Sequence, residues 1–404
     1  MWLLRLQRQL ILLSLVACGE PSKLERMSFA GDYSHGKELV ERYQCGQCHL
    51  DHVEGTCAGC HRTIARAAEH GEAAVIAEQW RSPAQIEIWR NRLVNMPQAP
   101  SLHAVGKLLR REWIARFLEE PHDLRPRLGA TMPRLRIDER DARDVAAYLA
   151  EAEDEEPYFA DERMADWTRS DPSSGRELYA RLGCGTCHAF IGPDPGWTLD
   201  GRDARSLLLA PDLRFTRERF QPNKLVPWLL EPTHHKVDAV MPEFELSYAD
   251  ARDLAAYIMT EPVSEPAPRA SPERLPLLDR EVRYDEVYDK VLSQSCVHCH
   301  GDPDFATDGG GPGFSGGFGF KAIELSFASY EATLAGYITP NGERRSIFAR
   351  NAEGIPHLVA VLLARQLEER GTPMDLRGMP LGFPSVGPAQ IQLVESWISQ
   401  GRPR

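Results

Sequence analysis

Long apolar runs, an excess of basic charge and strand-like alternation are all scarce in this chain of 404 residues. No apolar stretch reaches the ~20 residues that a membrane-spanning helix needs, which excludes a multi-span membrane protein. The formal net charge of -12, from 47 basic and 59 acidic residues, disfavours nucleic acid or an anionic membrane surface as the main partner. Because strand signals are sparse and apolar residues recur at helical spacing, the predicted fold class is all-α.

Cysteines outside one repeated pattern are almost absent. Eight of the nine cysteines belong to four Cys-x-x-Cys-His units, which are Cys45–His49, Cys57–His61, Cys184–His188 and Cys296–His300. Only Cys18 remains, so no pair is left to form a disulfide framework. The unit is typical of c-type haem attachment. Two thiols can bond to the two vinyl groups on one edge of the porphyrin, while the adjacent imidazole binds the iron.

The four units predict four covalently bound haems. The predicted attachment residues are Cys45, Cys48, Cys57, Cys60, Cys184, Cys187, Cys296 and Cys299, and the predicted proximal iron ligands are His49, His61, His188 and His300. Zinc sites usually join two separate hooks around one metal and do not require a histidine directly after the second cysteine. A thioredoxin-like redox pair needs a βαβ context, which the pattern does not indicate.

Two stretches of the chain repeat further motifs in the same order. Residues 36–49 and 175–188 are identical at eight of fourteen aligned positions. Ala-Pro-x-Leu, Met-Pro and Asp-Ala-Arg-Asp-x-Ala-Ala-Tyr then follow in both copies. This order resembles the class I cytochrome c family, and the resemblance covers about 31–152 and 170–262. It implies a helix, the haem motif, a loop, a Met-Pro ligand and a closing helix, with Met132 and Met241 as distal ligands.

The second haem unit lies in a stretch of additional chain. Cys45 precedes Ala99 by 54 residues, whereas Cys184 precedes Ala210 by 26, a difference of 28. Cys57–His61 falls inside this excess, so we predict a haem-bearing insertion at about 51–97. Its distal ligand stays open between Met96, His52, His70 and an open iron. A helix running from His61 would put His70 on its opposite face, about 14 Å along the axis.

Apolar residues at helical spacing predict one buried helical face leading into Cys296 and a second one after Met379-Pro380. The first face consists of Tyr284, Val287, Tyr288, Val291 and Leu292, and the second of Ile391, Val394, Trp397 and Ile398. The remainder of the chain resembles a divergent cytochrome c domain with its methionine ligand near the C-terminal end. Met379 is the predicted ligand, with Met374 as a competitor. The predicted organisation is a signal peptide (1–17), a lipidated tether (18–30), a dihaem domain (31–153), a monohaem domain (154–262), a proline-rich linker (263–279) and a divergent monohaem domain (280–404).

The first residues predict export and a lipid anchor. Arg5 and Arg8 precede an apolar run, 10–17, which is short enough for a signal-peptide core. The run ends Leu-Val-Ala-Cys at Cys18, which resembles the lipobox of bacterial lipoproteins and implies lipidation of that cysteine. An ordinary export signal with an incidental cysteine is the alternative. Gly19, rather than Asp, favours the outer membrane under that family's sorting rule, with the protein in the periplasm.

These patterns predict a tetrahaem electron-transfer protein without catalytic residues of its own. Its partners would be redox protein donors and acceptors, a membrane oxidoreductase complex among the candidates, and not nucleic acid. The alternative is a haem enzyme, a peroxidase or nitrogen-oxide reductase, that uses an open second haem. Residues 311–316 match Gly-x-Gly-x-x-Gly, but without a preceding strand and a following helix we interpret them as a loop and not as a dinucleotide site.

Overall fold

A computed structural model describes residues 31–49, 58–59, 62, 98–103, 105–121, 124–128, 132–135, 137–150, 159, 161–191, 204–236, 238–263, 274–297, 299–301, 323–339, 341–370, 375–381 and 383–404. This part of the chain is mostly helical, which confirms the all-α prediction. Its one sheet is a two-residue ladder of Tyr337–Ile338 antiparallel to Arg344–Arg345. None of its helices is long and apolar enough to cross a bilayer. Several predictions concern residues outside the described part of the chain. They are the signal peptide and tether at 1–30 with Cys18, the haem attachment at Cys57, Cys60 and His61, and the candidate ligands His52, His70, Met96 and Met374.

Three hydrophobic cores organise these helices. The first core is built mainly by Tyr33–Arg42, Arg111–Glu119 and Glu139–Ala150, beside the short helices Gly46–His49 and Val105–Leu108. The second is built by Pro172–Arg181, Thr216–Arg219, Leu225–Leu230 and Tyr248–Thr260, with the short helices Ala204–Leu209 and Pro232–His235 and the 3-10 turns Glu162–Ala165, Cys184–Thr186, Leu213–Phe215 and Pro222–Lys224. The third is built by Tyr284–Val287, the π-helical turn Tyr288–Leu292, Ser293–Ser295, Tyr330–Ala335, His357–Glu368 and Pro388–Ser399.

The repeated motifs form the same helix crossing in the first and second cores. In each, the helix that precedes the haem motif packs against the helix that carries the Asp-Ala-Arg-Asp sequence. A Cβ added at Gly36 would overlap the Asp144 carbonyl oxygen, and one at Gly175 would overlap that of Asp253. The obstructing atoms are backbone, which cannot rotate away. The shared glycine is therefore needed for the close approach of the two helices.

The last aspartate of the repeated motif has the same local role in both copies. Asp144 accepts a hydrogen bond from the Asp32 backbone N–H at 2.7 Å, and Asp253 accepts one from that of Asp171 at 2.9 Å. The closing helix thereby holds the start of the opening helix. In the first copy Asp144 also contacts His35 Nδ1 at 2.7 Å, and this hydrogen bond raises the pKa of His35.

Backbone hydrogen bonds join the first and second cores. An isolated bridge pairs Leu109 with Phe220. Beside it, the Arg110 N–H donates to the Arg219 carbonyl at 2.8 Å, and the Gln221 N–H donates to the Leu108 carbonyl at 2.8 Å. Leu108 is itself buried in the second core. The two repeats are thus packed together.

The third core confirms the two apolar helical faces predicted around the last haem motif. Tyr284, Val287 and Val291 are buried on the segment that leads into Cys296. The second predicted face lies on Pro388–Ser399, where Ile391, Val394, Trp397 and Ile398 are buried. The two elements pack against each other.

Candidate functional site

The structure describes the cysteines and the histidine of three of the four Cys-x-x-Cys-His units. The backbone of these residues forms the same turn in all three. The histidine N–H donates to the carbonyl of the first cysteine at 3.0 Å in Cys45–His49, 2.9 Å in Cys184–His188 and 2.8 Å in Cys296–His300. The second cysteine N–H also donates to that carbonyl, at 3.1 to 3.2 Å. The six cysteines of these units form no disulfide. The two-residue spacing between the cysteines thus produces the same compact turn in each of the three units.

A backbone carbonyl holds the histidine ring in the first two units. His49 Nδ1 lies 2.7 Å from the Pro100 carbonyl oxygen, and His188 Nδ1 lies 2.8 Å from that of Pro211. A carbonyl can only accept, so Nδ1 carries the proton and Nε2 keeps its lone pair. Both prolines belong to the Ala-Pro-x-Leu motif, although 51 residues separate His49 from its partner and 23 separate His188 from its own.

The third unit achieves the same arrangement without an Ala-Pro-x-Leu motif. Burial lowers the pKa of His300, and a backbone hydrogen bond to the Leu325 carbonyl opposes this change. The Phe327 N–H donates to the His300 carbonyl at 2.7 Å, and the two rings lie 5.5 Å apart at 77°. The 323–327 segment therefore replaces the motif. Sequence reasoning missed Leu325 because a backbone carbonyl has no residue signature.

Burial disfavours the charged forms of His188 and His300 and of the Cys45 and Cys184 thiols. Burial lowers the pKa of His188, and lowers that of His300 to about 4, against the smaller opposing effect of the carbonyl bonds. Burial raises the pKa of the Cys45 and Cys184 thiols to about 11. A redox-active dithiol needs a lowered thiol pKa instead. The two units are therefore poor thioredoxin-like sites.

One cavity of about 620 Å³ contains both of the first two described units. From the first repeat it is lined by Cys45, Cys48, His49, Pro100 and Met132, and from the second by Cys184, Cys187, His188, Pro211 and Met241. Apolar side chains such as Trp113, Leu128, Phe220 and Trp228 form much of the remaining wall. The predicted proximal histidine and distal methionine of each repeat thus line the same space.

The other predicted ligands are less completely placed. Met379 is partly buried, and its N–H donates to the Val361 carbonyl at 2.9 Å. Met379 and the Cys296–His300 unit do not line the shared cavity. Since Met374 lies outside the described residues, Met379 stays a prediction. The Cys57–His61 unit and its candidate ligands Met96 and His52 stay predictions for the same reason.

The residues around the shared cavity fit a haem group. A haem needs two thiols at one edge, a neutral imidazole with free Nε2, an apolar enclosure and cations for its two carboxylates. The cavity supplies each of these, and its described charged lining consists of Arg62, Arg125, Arg134, Arg219, Lys236 and Arg365 against Asp238 and Glu368. Cations exceed acids in this lining, which suits the two carboxylates of a haem.

A metal ion held by side chains alone has little support in the part of the chain that the structure describes. The one group of three potential ligands there is His35, Asp141 and Asp144. Their hydrogen bonds and ion pairs account for this cluster, since Asp144 binds His35 and the Asp32 backbone, and Asp141 pairs with Arg42 at 3.3 Å. Among the described residues, no Cys-x-x-Cys-His unit contributes to such a group.

Comparisons with protein-family models, with curated proteins and with solved structures find no match for this chain.

Proposed function

We propose that the chain is an electron-transfer protein that carries four covalently attached c-type haems. The observation that carries this proposal is the repeated arrangement of two cysteines, a carbonyl-bound histidine and a methionine around one apolar, cationic cavity. The same turn and carbonyl bond at Cys296–His300 support a further haem there. The fourth haem is assigned to Cys57–His61 from its sequence alone.

In this proposal the chain's residues set the properties of the cofactor. Bound haem iron supplies one-electron redox chemistry. The Pro100 and Pro211 carbonyls hold the histidine rings in the tautomer that presents Nε2. Met132 and Met241, which line the cavity, would serve as the distal iron ligands, and a thioether ligand favours the reduced iron. The apolar wall keeps water away from the site.

A tandem arrangement of cytochrome c-like domains, the first with a haem-bearing insertion, is part of the same proposal. The matching helix crossings at Gly36 and Gly175 support it for the first two repeats. The proposed partners are redox protein donors and acceptors. The alternative function, a peroxidase or nitrogen-oxide reductase, depends on an open iron at Cys57–His61.

Haem stoichiometry and ligand binding test the function. Protein made in a host that attaches haem covalently should keep four haems after denaturation, as measured by intact mass. The reduced protein should bind almost no carbon monoxide on mixing, because filled sixth positions exclude it. Fast binding by one haem in four would support the enzyme instead, and fewer than four attached haems would contradict the tetrahaem proposal. A Cys57→Ala/Cys60→Ala variant is the matched control, with three haems expected.

We also propose that Cys18 carries a lipid anchor that keeps the protein at the periplasmic face of a membrane, the outer membrane by its Gly19. Cys18→Ser should leave haem content unchanged and move the protein from the membrane fraction to the soluble fraction, because two or more acyl chains give stable anchoring. Fractionation followed by haem staining measures this. Ser14→Ala in the same leader is the control. Membrane retention of Cys18→Ser after a salt wash would contradict the anchor.

A further inference from the structure

Two arginines at the junction of the first two repeats have no carboxylate partner among the described residues. Arg125 comes from the first repeat and Arg219 from the second, and both line the shared cavity. Arg125 donates one hydrogen bond, from Nη1 to the Gln98 carbonyl at 2.7 Å. Arg219 Nε is buried without a hydrogen-bond partner among the described residues. Neither guanidinium forms an ion pair with a described carboxylate.

The described acidic groups whose charge acts on these arginines already have other partners. Asp212 is bound by Arg214, whose Nε lies 2.9 and 2.8 Å from the two carboxylate oxygens. Asp238 is paired with Lys236. Both aspartates act on the arginines only through their charge at longer range. The two guanidiniums, which line the cavity, therefore have no carboxylate partner among the described residues.

Leaving these cations unpaired is costly. Burial lowers the pKa of Arg125 to about 10, and burial together with the charge of Arg125 lowers that of Arg219 to about 10. Both side chains are still charged at neutral pH, so two like charges share a poorly solvated space. A buried polar group without its partner destabilises a fold. An anion that enters the cavity would remove this cost.

The chemistry of the cavity identifies the anion. Its walls are largely apolar, its cysteines and histidines lie in both repeats, and Arg125 and Arg219 line it from one repeat each. We propose that Arg125 and Arg219 form a carboxylate-binding site that holds the propionate groups of the haems attached at Cys45–His49 and Cys184–His188. This inference rests on the proposed function. It adds that one pair of guanidiniums acts on two haems of different repeats.

Arg219→Gln tests the site, with Arg217→Gln as a matched control. Arg217 lies on the same helix, Thr216–Arg219, and also has buried nitrogens without hydrogen-bond partners, but it does not line the cavity. We expect Arg219→Gln to lower the reduction potentials of two of the four haems, because a nearby cation favours the reduced iron. It should also shift the propionate bending band in the resonance Raman spectrum. Arg217→Gln should change neither.

Several outcomes would overturn the site. They are unchanged potentials in Arg219→Gln, an equal shift in Arg217→Gln, or a shift without any change in the propionate band. A phosphate-dependent potential that Arg219→Gln abolishes would indicate a diffusible anion and would equally contradict the proposal. If Arg219→Gln does not accumulate, Arg125→Gln should show the same two-haem effect. A protein with no attached haem would instead contradict the proposed function.

Discussion

Replacing Met241 with histidine is expected to lower the reduction potential of one haem by tenths of a volt, within the ~0.8 V that axial ligands span. Imidazole favours ferric iron more than a thioether does, which is the physical reason. Met241 lines the cavity that holds Cys184, Cys187 and His188, and the preceding residue is held by a hydrogen bond from Ser206 Oγ to the Val240 carbonyl at 3.0 Å. The loop should therefore keep its place after substitution.

Spectroelectrochemical titration measures the effect, and the near-infrared band of methionine-ligated haem should fall in the same variant. Met164→His is the control, because Met164 packs against the second core but does not line the cavity. Met132→His should act on a different haem, that of the first repeat. If both cavity variants kept the wild-type titration and the near-infrared band, the methionine assignment would be wrong.

Gly175→Ala should destabilise the second repeat by about 1–3 kcal/mol or more, which is typical of overpacking. A Cβ there would lie 2.6 Å from the Asp253 carbonyl carbon and would overlap its oxygen. The two helices would have to separate, and this would weaken the second core around Tyr257. The better helix propensity of alanine, about 1 kcal/mol, offsets only part of this cost. Gly36→Ala should have the same effect on the first repeat.

Hydrogen exchange of the Tyr248–Thr260 helix measures this loss locally, which is preferable because chains with several cores generally do not unfold in a single transition. Gly185→Ala is the matched control. Its added Cβ would meet only the Tyr179 ring, at an ordinary 3.5 Å. Unchanged protection in Gly175→Ala would show that the crossing is looser than the structure indicates.

Local covalent patterns were readable from the sequence because their spacing alone sets their geometry. The short spacing of Cys-x-x-Cys-His closes one backbone turn. The motif therefore identified His49, His188 and His300 from the sequence, and the structure shows the same turn at each of them. The helical faces at Tyr284–Leu292 and Ile391–Ile398 were equally local, since apolar periodicity shows which side of a helix is buried. The glycine that both repeats share, Gly36 and Gly175, was visible in the sequence. The close approach of two helices that requires it was not.

The sequence by itself therefore determined the helical fold class and the positions of the predicted haem attachment residues. Only the tertiary structure decided which groups surround them. Leu325 supplies a carbonyl to His300 without any motif, and Arg125 meets Arg219 in a cavity shared by two repeats. These contacts join residues far apart in the chain. They depend on how the cores pack against one another, and no spacing within one segment encodes that packing.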